Sequence, residues 1–399
     1  MIYFDNAATT YPKPECVYTA VDKCQRNFGV NAGRGTYKTA RQASEVIQRT
    51  RVTLAELVNI SDENNIILSP SATVAMNIVL NGLDYNSNTI VYITPFEHNA
   101  VARPLKRLSD IYGFSIEILP FDGRTQELDK EAMRNKFIVK HPDIVIVNHV
   151  SNVTGNILSV DEIFNASREY GAITILDASQ SLGLVPIDLS SQKTDFLIFA
   201  GHKNLYGNFG TGGFVYNSNV KLKPFFTGGT GSDSLNLNMP RQLPDLYEPA
   251  SHDIVSISAL NASLSWIIEQ SVKKIYIYKK ELTSYHPAFL TGRETTKQKD
   301  DAVTRFMEGK TNLCVISLRA ASGLNLQRAS CVVFGELDWS PAVHSQAEDR
   351  AHRMGQKDSI LCYYLVAPQG SDRDMQDALG LKVSQFVALM GDKTPELSS

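Results

Sequence analysis

The chain reads as an α/β protein whose large domain is a mostly parallel, seven-stranded sheet with helices on both faces. Between residues 64 and 217, short β-rich runs alternate with helical patterns, the order that brings parallel strands together through helical crossovers. The runs are almost continuously apolar rather than alternating, as suits strands covered on both faces. The length of 399 residues implies more than one domain, and the texture of the sequence changes after Ser284.

The strand candidates, in order, are NIILS at 65–69, TIVYIT at 89–94, SIEILP at 115–120, DIVIVNH at 143–149, AITILD at 172–177, DFLIFA at 195–200 and GFVY at 213–216. Helical patterns fall at about 40–58, 72–84, 98–112, 127–137 and 160–169. Residues 218–256 are rich in Gly, Ser, Asn and Pro and read as a loop or flap, followed by one long helical segment at about 257–283. Beyond Ser284 a shorter α/β pattern begins with AFLTG and a charged helix at 294–308. It continues with strands at 313–318 and 331–336, a helix at 341–353 and a strand at 360–366.

Composition excludes several classes. With 43% hydrophobic and 20% charged residues, the chain can bury a core. Its 39 basic and 42 acidic side chains leave a net charge of −3, which gives no chain-wide grip on nucleic acid. Cys16, Cys24, Cys314, Cys331 and Cys362 are scattered and form no C-x-x-C pair, so neither a disulfide framework nor a metal site is expected. The start, MIYFDNAATT, lacks the features of a signal peptide, and no apolar run approaches the roughly 20 residues of a membrane span. A cytoplasmic setting is therefore expected.

In open parallel sheets, ligands bind beyond the carboxyl ends of the strands. Polar residues gather at those ends here. Asp177 closes one strand with Gln180 beyond it, and His202 and Lys203 follow the next. His98 and Asn152 follow two others, and Ser71, Ala72 and Thr73 open a helix. Pyridoxal phosphate requires an imine-forming lysine, a carboxylate that keeps its pyridinium nitrogen protonated, and an anion site for its phosphate. A helix N-terminus can provide that anion site. Singly, each residue has a plainer reading as a cap, a turn or a solvated side chain.

YFDNAATT at 3–10, EHNAV at 97–101, SNVTGNILSVDEI at 151–163, DASQSLG at 177–183, GHKNLYGNFGTGG at 201–213 and GGTGS at 228–232 resemble the class V aminotransferases, and more narrowly their cysteine desulfurase and selenocysteine lyase branch. The resemblance runs from residue 1 to about 283. It implies a PLP-transferase type large domain with Lys203 as the Schiff-base lysine, Asp177 on the pyridinium nitrogen and Gln180 on the ring hydroxyl. His98 would stack on the ring and share in catalysis with Lys203, and Asn152 would orient the ring edge. Ala72 and Thr73 at the helix start, with His202, would hold the phosphate. Thr230 would reach the phosphate of a neighbouring subunit, since the resemblance implies a homodimer acting on cysteine or a similar amino acid. Two positions depart from the pattern: Ala200, where many relatives carry a hydroxyl, and Ala250–Ser251 in place of Gly-Thr.

The small domain that would supply a carboxylate-clamping arginine and a loop cysteine is not recognisable after residue 283, so low turnover is expected. Instead FLTGRETTKQKDDAVTRFMEG at 289–309, ISLRAASGLNLQRASCVVFGELDWSP at 316–341 and QAEDRAHRMGQ at 346–356 resemble the last motifs of Swi/Snf-type superfamily 2 helicases. That likeness implies an incomplete RecA-like lobe over 284–399, with Gly323, Gln346, Arg350 and Arg353 at motif positions. The sequence holds no G-x-x-x-x-G-K-[ST] loop, so ATPase or helicase activity from this chain alone is not expected. Two alternatives stay open beside the enzyme: a nucleic-acid or partner-binding module in the C-terminal part, and a non-functional fusion of two truncated proteins.

Overall fold

The computed structural model describes residues 6–283 except 33, 34, 36, 124 and 232–235, together with 288–290, 296–311, 314–316, 331–334 and 361–364. Seven strands pair into one sheet: β1 (Ile66–Ser69), β2 (Ile90–Ile93), β3 (Ser115–Ile118), β4 (Ile144–Asn148), β5 (Ile173–Asp177), β6 (Phe196–Ala200) and β7 (Gly212–Tyr216). Their order is β1-β7-β6-β5-β4-β2-β3, and β7 alone runs against its neighbours. All seven expected strands are present, six of them shortened by a residue or two at their ends and β7 longer by one residue, Gly212.

The apolar runs are explained by burial on two faces. In β4, Val145 and Val147 join one core with Leu54, Phe137, Phe164 and Leu260, while Ile144 and Ile146 join another with Met76, Val79 and Leu105. The helices that cover the sheet are α1 (Glu15–Asn27), α2 (Lys38–Val58), α3 (Ala72–Gly82), α4 (Asn99–Tyr112), α5 (Lys130–Val139), α6 (Val160–Arg168) and α7 (Ile254–Gln270). The register brings strand ends together in two groups: Asn148 pairs with Asp177, while Ala200 pairs with Gly212 and Gly212 with Ser69, two residues beyond the Asp177–Ile198 pair. Gly212 is required there, because a Cβ would stand 2.5 Å from the Ala72 nitrogen. β7 therefore lies directly against the start of α3.

Two helical expectations need correction. The segment at 257–283 is two helices, α7 and α8 (Val272–Thr283), separated by Ser271 at a φ of 68°, a left-handed conformation that interrupts helical hydrogen bonding. Helix α1 went unforeseen; Val17 and Cys24 are its buried residues, too sparse an apolar pattern to signal a helix.

The chain divides into a compact unit over 5–276 and a second made of 277–399 with residues 1–4. In the second unit, β8 (Ala288–Leu290) pairs in parallel with β9 (Cys314–Ile316) around α9 (Thr296–Met307), and β10 (Cys331–Phe334) pairs in parallel with β11 (Leu361–Tyr364). The expected helix at 341–353 lies outside the described residues, as do Gly323, Gln346, Arg350 and Arg353. Among the described residues no helix is long and apolar enough to cross a membrane, and no cluster of side chains could hold a metal ion.

The last part of the 218–256 segment is pinned by a buried charge pair. The Arg51 guanidinium donates to both carboxylate oxygens of Glu248 at 2.7 and 2.5 Å, and to the Ile66 carbonyl. Glu248 also accepts from the Leu68 amide at 2.5 Å and pairs with His252 Nε2 at 3.0 Å. Burial alone would raise the Glu248 carboxyl, but Arg51 and His252 outweigh it and hold it below the usual carboxylate range. Breaking such a pair strands a charge in the interior. Arg51→Met is accordingly expected to cost about 3–5 kcal/mol in urea unfolding, whereas truncation of the exposed partner Lys106 of Asp110 should cost under about 1 kcal/mol.

Candidate active site

Three loops meet at the carboxyl edge of the sheet. After β6 the chain turns at once through Gly201–Gly207, closed by hydrogen bonds from Gly201 N to the Thr211 carbonyl (3.0 Å) and from Gly207 N to the Gly201 carbonyl (2.7 Å). A side chain at 201 would collide with Thr211 at 2.2 Å. This tight turn carries His202 and Lys203. After β5, Asp177 accepts from the Ser179 amide at 2.9 Å, and Asn204 Nδ2 donates to the Gln180 carbonyl at 2.5 Å. The two turns are thus tied together.

Asp177 and Gln180 are buried. Lys203 is partly buried, and burial lowers its amine below the ordinary lysine range while the nearby Asp177 carboxylate opposes the shift. The acid and the amine therefore share one edge and feel each other's charge. The imidazole of His202 is held down at about 4, first by burial and then by Lys203 and Lys13, so it is neutral at neutral pH. Its Nδ1 is buried without a hydrogen-bond partner, and its ring stacks on Phe209 with centroids 4.6 Å apart.

The wall of the site comes from the N-terminal segment. Thr9 Oγ1 donates to the His202 carbonyl at 2.9 Å, Thr10 N to the same oxygen at 3.1 Å, and Thr10 Oγ1 to the Lys203 carbonyl at 2.7 Å. Gln180 Nε2 donates to the Ala7 carbonyl at 2.7 Å, so this amide is engaged by the chain itself. Helix α3 opens with Ser71 capping the Val74 amide at 3.2 Å. The amides of Ala72 and Thr73 lie in the first turn, where no carbonyl of the helix can reach them.

His98 is exposed at the start of α4; its Nδ1 accepts from the Ala100 amide at 3.1 Å, which fixes the proton of the neutral ring on Nε2. A cavity of about 400 Å³ between α3 and α4 is lined by Thr73, Asn77, His98 and Arg103 among others. Asn152 sits in the turn after β4, half-buried, and makes no side-chain hydrogen bond among the described residues. Thr230 is half-buried in the flap. Asp177, Gln180, His202 and Lys203 are thus brought together directly, with Ala72 and Thr73 on the same sheet edge.

Sequence reasoning passed over Glu97 and Lys13. Glu97 ends the same loop as His98, accepts from Thr94 Oγ1 at 2.7 Å and from the Asn148 amide at 2.8 Å, and leaves its second oxygen buried and unpartnered. Burial, with Asp177 adding to it, pushes its carboxyl up to about 8. Its only signal in the sequence was its place beside His98 in EHNAV.

Residues 2–296 match the family described as aminotransferase class-V, and residues 254–355 match the helicase conserved C-terminal domain. A probable cysteine desulfurase of Pyrococcus abyssi is 30% identical over 289 residues, covering 71% of this chain and 71% of that protein. Another, of Methanothermobacter thermautotrophicus, is 27% identical over 296 residues and covers 71% of this chain and 70% of its own. The apo structure of a cysteine desulfurase from Thermococcus onnurineus NA1 superposes with a TM-score of 0.65 at 26% identity, over 71% of each chain. With most of its length matched and the same mixed sheet beneath it, the protein belongs to the aminotransferase class-V family, whose cofactor is pyridoxal phosphate.

Proposed function

We propose that the protein is a pyridoxal-phosphate enzyme of the cysteine desulfurase or selenocysteine lyase type, acting on an amino acid through Lys203. The observation that carries this reading is the meeting of the Lys203 amine and the Asp177 carboxylate at one sheet edge. When bound, the cofactor supplies an electron-poor ring that accepts the electron pair released at the substrate's α-carbon. The residues present fit it. His202 offers a buried ring nitrogen without a partner, and the first amides of α3 offer donors to an anion. Burial keeps a larger fraction of Lys203 as free amine at neutral pH than a solvated lysine would have. Asp177 provides the fixed negative charge, and His98 presents Nε2–H from the rim. Gln180 acts by bracing the Ala7 wall. Asn152 would orient the ring edge, and Thr230 would serve a second subunit, so the active form is a homodimer.

Among the described thiols none is poised as the nucleophile of a desulfuration. Cys16 is exposed on α1 and Cys24 is buried, while burial pushes the Cys314 thiol up to about 11, far from the thiolate that a nucleophile requires. The ring-binding half of the reading is tested first. Purified protein mixed with pyridoxal phosphate should turn yellow, and borohydride should then fix one cofactor mass on the peptide containing Lys203. Lys203→Ala should abolish both signals, and a wild-type protein that stays colourless overturns the assignment.

Glu97 gives the site a pH signature independent of ligand. The folded chain holds its proton up to about pH 8, whereas an unfolded glutamate releases it near 4.5. The folded state is therefore progressively disfavoured as pH rises between those values. Glu97→Gln keeps the neutral shape and removes the penalty. Its urea midpoint is expected to match wild type at pH 5 and to exceed it at pH 8.

A further inference from the structure

Lys13 follows the N-terminal wall, and three hydrogen bonds fasten that wall to the turn of His202 and Lys203. Its backbone amide is fixed on Tyr18 Oη at 3.1 Å, and its ammonium donates to the Thr10 carbonyl at 3.0 Å. Thr10 is the residue bonded to both His202 and Lys203, so two hydrogen bonds in series tie the ammonium to the turn that carries the candidate lysine. Lys13 is half-buried, and among the described residues no carboxylate pairs with it. That is unusual company for an ammonium withdrawn from water, which normally finds a counter-ion.

The surroundings make the imbalance plainer. Lys13 and Lys203 both bear on the His202 imidazole, so three basic groups share this corner. Against them stands Asp177, because Glu97 holds its proton at neutral pH. One of the three ammonium protons of Lys13 is used on Thr10, which leaves two donors. His202 adds a buried ring nitrogen with no partner. His202 is neutral and Lys203 faces Asp177, so the ammonium of Lys13 and its two spare donors are what make this corner complementary to an oxyanion.

We propose that Lys13 is an oxyanion-binding residue of this site, supplying an ammonium donor beside His202 and Lys203. The inference deepens the proposed function and rests on it for where the ligand lies. The oxyanion is either the phosphate of the cofactor or the carboxylate of the incoming amino acid, and the two sources are separable by experiment.

Lys13→Gln, Lys13→Arg and wild type are compared for colour development with pyridoxal 5′-phosphate and with pyridoxal, which lacks the phosphate. The loaded proteins are then titrated spectroscopically with L-alanine and with ethylamine, which lacks the carboxylate. A loss of about tenfold or more in Lys13→Gln, confined to pyridoxal phosphate, assigns the phosphate. The same loss confined to L-alanine assigns the carboxylate, and Lys13→Arg should recover most of either. In parallel, the thermal midpoint of the cofactor-free proteins is followed against inorganic phosphate and acetate, a readout that needs no colour. If wild type never colours, the proposed function fails and Lys13 is judged on this last arm alone. Equal responses of wild type and Lys13→Gln in every arm that responds, or no response to any anion, overturn the proposal.

Discussion

The alignment of strand ends at the carboxyl edge of the sheet is the constraint on which the rest depends. Asn148 opposite Asp177 ends β4 and β5 together, Gly212 between Ala200 and Ser69 ends β6 and β1 together, and β6 runs two residues past Asp177, which pairs with Ile198. A one-residue slip in any of these pairings would turn alternate side chains to the other face. The two-sided core forbids that slip, since Val145 and Ile146 each have their own apolar layer to satisfy. Packing in the interior thus fixes where the acid and the amine emerge.

Much of this was legible in the sequence because burial on both faces leaves continuous apolar runs, and polar residues at their ends stand out. Asp177, His202 and Lys203 could be singled out in that way. Other features depend on partners distant in the chain. The fastening of Thr9 and Thr10 to carbonyls 193 residues away follows no local pattern. The same is true of Arg51 and Glu248, which meet across 197 residues. Glu97 looked like an ordinary charged residue because its protonation is decided by burial, not by its neighbours in sequence. The break at Ser271 was hidden by helix-forming residues on both sides, and backbone conformation there follows tertiary packing.

The site combines neutralised and uncompensated charge in a small space. Glu97 gives up its charge to burial, whereas Glu248 retains its own because Arg51 and His252 surround it. Two buried glutamates in one unit therefore titrate in opposite directions, and the difference lies wholly in their partners. The basic corner at Lys13, His202 and Lys203 resembles neither. Its imidazole is neutral and its Lys203 amine faces Asp177, so Lys13 is the group there that no described carboxylate answers.

The fastening of the N-terminal segment has an evolutionary consequence. Thr9 and Thr10 grip the carbonyl oxygens at 202 and 203, and not the side chains. Every amino acid offers the same carbonyl, so the enclosure is indifferent to what stands at those two positions. A lineage that lost its reactive amine would keep an intact vestibule, so the enclosure can outlast the chemistry it surrounds.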